Sequence, residues 1–114
     1  MRIEKFEDII AWQKALNLTL EIYTLFDKSN DYGFKDQIQR ANVSIMNNIA
    51  EGFERKSNNE FKHFLYIAKG SCGEVRSMLI LAGKLNKLTE YKADELKKIS
   101  LEISKMLSGL IITL

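Results

Sequence analysis

The feature that most restricts the fold of this chain is a long helical period between residues 58 and 87. Apolar or small residues recur there at alternating spacings of four and three, in the order Phe61, Leu65, Ala68, Cys72, Val75, Leu79 and Ala82. A second row with the same rhythm comprises Phe64, Ile67, Ser71, Glu74, Met78, Leu81, Leu85 and Leu88. Each row occupies one face of an α-helix, and a helix with two such rows packs against neighbours on two sides. The segment is therefore predicted to be an inner or interface helix.

Three other segments have a helical period and are separated by turn-forming residues. They span about residues 7–27, 34–55 and 90–113, on either side of the segment at 58–87. Long helices joined by short polar turns pack antiparallel, and no segment alternates as a strand does. The sequence therefore predicts an all-α fold, an antiparallel up-down-up-down four-helix bundle that forms a single domain over residues 1–114.

The ends of these helices have recognisable signals. Ser57 and Glu60 are spaced as in a capping box, so Ser57 is the expected N-cap of the third helix, with Glu60 reaching back to its amide. Thr89 is the expected N-cap of the fourth helix. Glu7 and Asp8 are expected in the first turn of the first helix, where carboxylates meet the positive end of the helix dipole.

The composition fits a chain that buries a real core. Hydrophobic residues make up 46% of it and charged residues 28%, with a net charge of +2 and no proline. This excludes disordered, collagen-like and proline-rich classes. The single cysteine, Cys72, allows no internal disulfide, which suits a reducing compartment. The start of the sequence does not read as a signal peptide, and no apolar run reaches the ~20 residues of a membrane span. We therefore predict a cytoplasmic protein without a membrane partner.

The chain has more apolar surface than one small bundle needs. Each of the first three helices carries two apolar rows; in the first helix they are Ile9, Trp12, Leu16, Thr19, Tyr23, Phe26 and Ala11, Ala15, Leu18, Ile22, Leu25. A monomer with a wide core is one interpretation. Because monomers rarely expose large apolar patches, we favour a second one, in which the extra rows close an interface between copies of the chain. A membrane-surface tail at 107–114 is a weaker third interpretation, since few basic residues flank that end.

Two carboxylates lie in or beside these rows. Glu74 belongs to the second row of the third helix, and Glu51 lies next to Asn48 and Gly52 in the second helix. Inward-facing carboxylates can bind a metal or transfer protons. Di-metal bundles use repeated Glu-x-x-His pairs, however, and His63 is the only histidine. We therefore expect Asn48, Glu51, Gly52 and Glu74 to be structural residues at a helix contact, and we predict no metal, cofactor or catalytic site.

Two glycines, Gly70 and Gly73, interrupt the third helix. A phosphate-binding loop does not fit, because the run lies within a helix and no strand precedes it. Each glycine inside a helix costs about 1 kcal/mol relative to alanine. The expected compensation is the close approach of another helix backbone, with Ser71 hydrogen-bonding across the contact. Cys72 is expected to be a small buried hydrophobe rather than a nucleophile.

A line of basic residues repeats every seven positions along the third helix, as Lys62, Lys69 and Arg76. We predict that the line lies opposite both apolar rows, with Arg55 and Lys56 near its start. A basic line repeated around an oligomer can hold phosphate backbones, with an affinity that falls steeply with salt. An ordinary solvated helix face is the alternative, and the residues alone favour it.

Four segments of the sequence are typical of one known family. They are FEDIIAWQKA at 6–15, QIQRA at 37–41, VSIMNNIAEGFER at 43–55 and the pattern EFxxFLxxAxGSxxE at 60–74. On these residues the chain resembles the bacterial four-helix-bundle family named for 23S rRNA intervening-sequence proteins, over nearly its whole length. It departs from the family at Met46, where relatives commonly have proline, so a kink of the second helix at this point is in doubt.

The resemblance implies a homopentamer with a central channel and no enzymatic activity. Some members of the family are encoded inside insertions in rRNA genes, and a related retroelement accessory protein binds nucleic acid and a reverse transcriptase. The hypothesis that follows is a self-assembling bundle that binds RNA or a nucleoprotein, and its contact residues would be Arg55, Lys56, Lys62, Lys69 and Arg76. One alternative is a protein–protein scaffold with no nucleic-acid role. Another is a metal-dependent enzyme that uses Glu51 and Glu74.

Overall fold

The computed structural model describes residues 3–114, which form four α-helices and no strand. The helices are α1 (Ile10–Leu25), α2 (Tyr32–Phe53), α3 (Asn58–Lys84) and α4 (Glu90–Ile112), and a 3-10 turn at Phe6–Asp8 precedes α1. Each helix packs against the next, and α1 also packs against α4, so the four close into a bundle of 43 × 22 × 19 Å. The predicted all-α fold is confirmed. No helix in the described part of the chain is both long and apolar enough to span a bilayer.

Contacts between helices show that neighbours run antiparallel. At each interface, higher residue numbers on one helix meet lower numbers on the other. The pairs are Gly52–Phe64 and Ser44–Ser71 for α2 with α3, Cys72–Ser100 and Lys69–Ser108 for α3 with α4, and Lys14–Glu102 and Glu21–Lys92 for α1 with α4. The rings of Phe26 and Phe34 lie 5.5 Å apart across the turn between α1 and α2. The up-down-up-down order follows from these pairs.

The first apolar row of α3 lies at the centre of the core. From Leu65 to Ala82 every member of this row is fully buried. The second row is divided, because Ser71 and Met78 are buried while other members are exposed, namely Ile67, Glu74, Leu81 and Leu85. Helix α1 is divided in the same way. Its core row is Ala11, Ala15, Leu18 and Ile22, whereas Leu16 is half-buried and Leu20 and Tyr23 are exposed.

Two of the predicted helix starts are confirmed. The Ser57 hydroxyl accepts a hydrogen bond from the Glu60 amide at 3.2 Å, and the Thr89 hydroxyl accepts one from the Lys92 amide at 3.0 Å. The Glu60 carboxylate accepts from the Ser57 hydroxyl at 3.2 Å rather than from the Ser57 amide. Helix α2 begins at Tyr32, earlier than predicted, because Asp31 accepts from the amide of Phe34 and caps it.

The prediction for the start of α1 is wrong. Glu7 and Asp8 belong to the separate 3-10 turn, and Ile9 is extended (φ −75°, ψ 119°) before the helix begins. No acidic residue therefore lies in the first turn of α1. This extended conformation directs the side chain of Ile9 into the core, where it is buried. The helix therefore begins only after Ile9.

Helix α3 ends earlier than the predicted limit near residue 87. Its last turn closes with Asn86 in the left-handed region, at φ 59°. The Lys87 amide donates to the Ala82 carbonyl at 2.8 Å, and the Asn86 amide donates to the Gly83 carbonyl at 3.2 Å. This is a Schellman cap with asparagine at the position that glycine usually occupies. Helix α2, by contrast, is continuous through Met46, where a proline would remove a backbone donor.

Candidate nucleic-acid interface

The basic line of α3 lies along the groove between α3 and α4. Lys62, Lys69 and Arg76 are each half-buried. The Lys69 ammonium donates to the Ser108 hydroxyl of α4, and Arg76 shares a shallow hollow with residues of that helix. The prediction that the line lies opposite the apolar rows is therefore wrong. A residue three positions before a core residue such as Cys72 lies on the flank of the buried face, because three residues turn a helix through somewhat less than one full turn.

Helix α4 extends this positively charged region. Lys97 and Lys98 line the hollow with Arg76, and the exposed side chains of Ile80 and Leu101 also line it. We use "the basic surface" for Lys62, Lys69, Arg76 and Lys84 of α3 together with Lys97 and Lys98 of α4. The α4 lysines were missed at the sequence level. The sequence shows where Lys97 and Lys98 lie relative to Leu101 along α4, but it does not show which neighbouring helix they face.

Little acidic charge offsets this surface. Asp94 lies among Lys97, Lys98 and Lys84, and the hydrogen bond from Lys97 at 2.8 Å, followed by the charges of these lysines, holds the pKa of its carboxyl below the ordinary value. Within residues 3–114, Lys97 is the one member of the basic surface that forms a salt bridge. The others keep their charge available for an anion.

Arg55 is engaged at another interface. Its guanidinium lies 2.6 Å from the Glu51 carboxylate, 3.8 Å from that of Glu60 and 4.8 Å from the centroid of the Phe64 ring. These contacts connect the end of α2 to the beginning of α3. Lys56 is exposed in the turn between these helices. The structure therefore separates Arg55, on the α2 side of α3, from the basic line on its α4 side.

A row of polar contacts joins α2 to α3. The hydroxyls of Ser44 and Ser71 lie 2.8 Å apart across this interface. Within α2, the Asn48 amide donates to the Ser44 carbonyl at 2.8 Å and to its hydroxyl at 3.0 Å. The predicted hydrogen bond of Ser71 across a helix contact is confirmed. Farther along, the Gln37 amide donates weakly to Glu74 at 3.5 Å.

The candidate carboxylates do not face inward. Glu51 and Glu74 are both exposed, the first paired with Arg55 and the second accepting from Gln37. Residues 3–114 contain no cluster of three histidine, cysteine or acidic side chains with the geometry to hold a metal ion. Cys72 is fully buried, and this burial raises the pKa of its thiol to about 12. Its side chain packs as the small hydrophobe that the sequence predicts.

The glycines divide into two kinds. A Cβ added at Gly52 would lie 2.7 Å from the Cβ of Phe64, so α2 and α3 approach closely there. At Gly70 and Gly73 an added Cβ would meet no atom within 4 Å. The expectation that another helix backbone compensates these two glycines is wrong within the chain, because both lie toward the solvent side of α3.

Two apolar rows remain open away from the basic surface. The α1 row comprises Leu16, Leu20 and Tyr23, and Leu20 is 57% exposed. The α3 row comprises Ile67, Leu81 and Leu85, and Leu85 is 54% exposed. The α3 row flanks the side of α3 on which Ser71 contacts α2.

Known proteins share the fold that carries these surfaces. The family model described as 23S rRNA-intervening sequence protein matches residues 7–109. The chain is also similar to a crystal structure from Bacteroides thetaiotaomicron, a protein with unknown function from the S23 ribosomal protein family. The TM-score is 0.83 at 26% identity, and the match covers 89% of this chain and 97% of that one. No curated protein matches the chain.

Proposed function

Since this chain belongs to the 23S rRNA-intervening sequence protein family, we propose that it is a self-assembling, non-enzymatic accessory protein of the cytoplasm. In this proposal it binds RNA, alone or within a nucleoprotein, through the basic surface between α3 and α4. The observation that carries the proposal is that the cations of this surface remain largely free of carboxylates. The family's name refers to rRNA, and that of the similar crystal structure to a ribosomal protein.

The spacing of the cations supports a polyanionic ligand. Lys62, Lys69 and Arg76 follow one another every seven residues, or about 10 Å along the axis of α3. That interval is close to the Debye length of about 8–10 Å in physiological salt, so the fields of neighbouring cations overlap. A line of positive potential suits a phosphate backbone better than a single small anion.

Self-assembly is supported by the two open apolar rows. Leu20 of the α1 row and Leu85 of the α3 row each expose more than half of their surface. A second copy that covers them would remove apolar surface from water and leave the basic surface accessible. We take the homopentamer implied by the family resemblance as the proposed assembly, and it would present the basic surface five times. Repetition raises the avidity for a long RNA without new contacts in each subunit.

A protein–protein scaffold is the second candidate, and the same open apolar rows favour it. The two candidates differ in what co-purifies with the chain. Light scattering of the purified protein, with the 260/280 nm absorbance ratio read on the same peak, measures assembly size and bound nucleic acid together. A multimer with a raised ratio supports the first proposal. A multimer free of nucleic acid that also fails to bind added RNA supports the scaffold.

Charge reversal tests the binding surface. The variant K62E/K69E/R76E should lose RNA affinity in a fluorescence titration, and it should show a shallower dependence of log Kd on log salt. Each lost phosphate contact should reduce the slope by roughly 0.7–0.9. The matched control is K5E/K28E/R40E, which changes the net charge equally at exposed positions off the basic surface. Unchanged RNA affinity in the first variant, with the fold verified by circular dichroism, would disprove the assignment of this surface.

A further inference from the structure

The basic surface has an exposed aromatic ring among its cations. Tyr66 is 59% exposed and lies between Lys62 and Lys69, four residues after one and three before the other. Residues at these spacings are neighbours on a helix surface. Within residues 3–114 the Tyr66 ring pairs with no other ring, and its hydroxyl makes no hydrogen bond. The side chain is therefore available to a molecule outside the chain.

The two open glycines lie beside this ring. Gly70 and Gly73 are four and seven residues after Tyr66, on the same side of α3. Side chains on a helix lean toward its N-terminus, so a side chain at position 70 would lean toward the ring of Tyr66. Glycine leaves that flank of the ring without a side chain, and apart from its sequence neighbours and the backbone of its own helix no atom lies within 4 Å of where a Cβ would be.

The bundle itself does not account for these glycines. Glycine in a helix interior is destabilising relative to alanine, and close packing explains it at Gly52, where a Cβ would collide with Phe64. Neither Gly70 nor Gly73 has such a neighbour. The space beside Tyr66 is thus maintained at a cost to the helix, which points to an occupant from outside the chain.

The charge of the surroundings selects the occupant. Two copies paired face to face through this surface would bring Lys62, Lys69 and Arg76 against like charges, which opposes that pairing. In the proposed homopentamer the copies meet head to tail through the open apolar rows, which leaves this surface uncovered. Single-stranded nucleic acid supplies phosphates for the cations and an unstacked base for the ring. A duplex supplies phosphates only, because its bases are already stacked on one another.

We infer that the basic surface takes single-stranded RNA, and that one base stacks on Tyr66 in the space left by Gly70. This inference rests on the proposed function and adds the form of nucleic acid that the surface recognises. Stacking on an aromatic ring tolerates any base, so the preference is for an unpaired strand rather than for a sequence. The phosphates on either side of the stacked base lie against Lys62 and Lys69.

The test compares Tyr66→Ala, Tyr66→Trp and Tyr32→Ala by fluorescence anisotropy with a labelled single-stranded RNA of 20 nucleotides and with its duplex. Tyr66→Ala should weaken single-strand binding about tenfold, as expected for the loss of one stacked base, and leave duplex binding unchanged. Tyr66→Trp should keep the single-strand affinity, and its indole fluorescence should be quenched by that RNA. Tyr32, 73% exposed at the start of α2, is the matched control, and its removal should change neither affinity.

A second variant separates binding from folding. Gly70→Gln should raise the melting temperature, since it removes a helix glycine where space is open, and should lower single-strand affinity by filling the flank of Tyr66. Equal effects of Tyr66→Ala on both RNAs, or none on either, would overturn the inference. A changed assembly mass in Tyr66→Ala would also overturn it, because the face would then belong to a second copy. Failure of the unaltered protein to bind any RNA would defeat the proposed function itself.

Discussion

The Lys87 ammonium and the Asp31 carboxylate lie 2.8 Å apart and join the two turns at one end of the bundle. Asp31 ends the turn between α1 and α2 and accepts from the Phe34 amide at 3.3 Å. Lys87 follows α3, and its ammonium also lies 5.3 Å from the centroid of the Phe34 ring. Turns far apart in the sequence are thus held together by one ion pair beside one aromatic ring.

This pair makes stability depend on pH. The hydrogen bond from Lys87, and after it that from the Phe34 amide, lowers the pKa of Asp31. Such a carboxyl contributes fully above its unfolded-state pKa of about 3.9, and the contribution is lost as the pH falls through the lower folded-state value. Asp31→Asn keeps a capping side chain without the charge. Its melting temperature should fall slightly at pH 7, and the difference from the unaltered protein should shrink progressively as the pH falls below about 3.9. A double-mutant cycle with Lys87→Met should be non-additive; simple additivity would contradict the pairing.

Asn42 is predicted to be a stability defect of the core. It is fully buried, and its Nδ2 donates to the Ile38 carbonyl at 2.8 Å, but its Oδ1 has no hydrogen-bond partner within residues 3–114. An unpaired buried acceptor costs about 1–3 kcal/mol. Asn42→Ala should therefore raise the free energy of unfolding by about 1 kcal/mol, after some loss of packing. Asn48→Ala, which removes two hydrogen bonds, serves as the control in urea titrations and should not be stabilising.

The stability of the cap that ends α3 depends on a single residue, Asn86. Asn86 has φ 59°, which glycine adopts without steric penalty. Asn86→Gly should change stability little or raise it by up to about 0.5 kcal/mol, while Asn86→Ala should lower it by about 1 kcal/mol. Chemical denaturation of the two variants side by side distinguishes them. Equal stability of both would show that the left-handed cap is absent in solution.

Glycine-to-alanine changes should have opposite effects at different sites. Gly70→Ala and Gly73→Ala add a methyl group in open space, so each should raise the free energy of unfolding by about 0.5–1 kcal/mol. Gly52→Ala would place its Cβ 2.7 Å from the Cβ of Phe64 and should be destabilising by roughly 1–3 kcal/mol. Thermal unfolding of the three variants decides the matter, and a stabilising Gly52→Ala would contradict the close approach of α2 and α3.

Assembly is predicted to depend on the open apolar rows. Leu20→Glu in the α1 row and Leu81→Glu in the α3 row put a charge where a second copy would cover apolar surface. Each should reduce the assembly mass in light scattering while the far-ultraviolet circular dichroism stays helical. The control is Leu101→Glu, an exposed leucine in the hollow of the basic surface, which should leave the mass unchanged. An unaltered mass in both row variants would remove these rows from the interface.

The elements of the fold were accessible from the sequence because the signals that specify them are local. The helical period alone identifies the row from Leu65 to Ala82 as one of two apolar rows of α3. The caps at Ser57 and Thr89 were predicted because each side chain lies three residues before the amide that donates to it. The predicted start of α1 and the predicted end of α3 were wrong. Burial of Ile9 moved the start of α1. The end of α3 was missed for a local reason, because the left-handed residue Asn86 ends the helix before its apolar period does.

The candidate site was less accessible, because it lies between helices. The sequence identified Lys62, Lys69 and Arg76 as a line, but not the helix beside them, so Lys97 and Lys98 were not joined to it. It also grouped Arg55 with these cations, although the ion pair with Glu51 engages Arg55 on the other side of α3. Lysine spacing along one helix carries no information about which flank of that helix is covered.

By itself the sequence determined the four helices, the apolar rows along them and the residues that begin two of them. Helical periodicity and capping depend on residues within a few positions of one another, so one sequence suffices to read them. Tertiary structure alone decided that the basic line faces α4, that Gly52 is crowded and that Gly70 is open beside Tyr66. These relationships arise from how side chains on distant segments fit together, and a helical period does not contain that information.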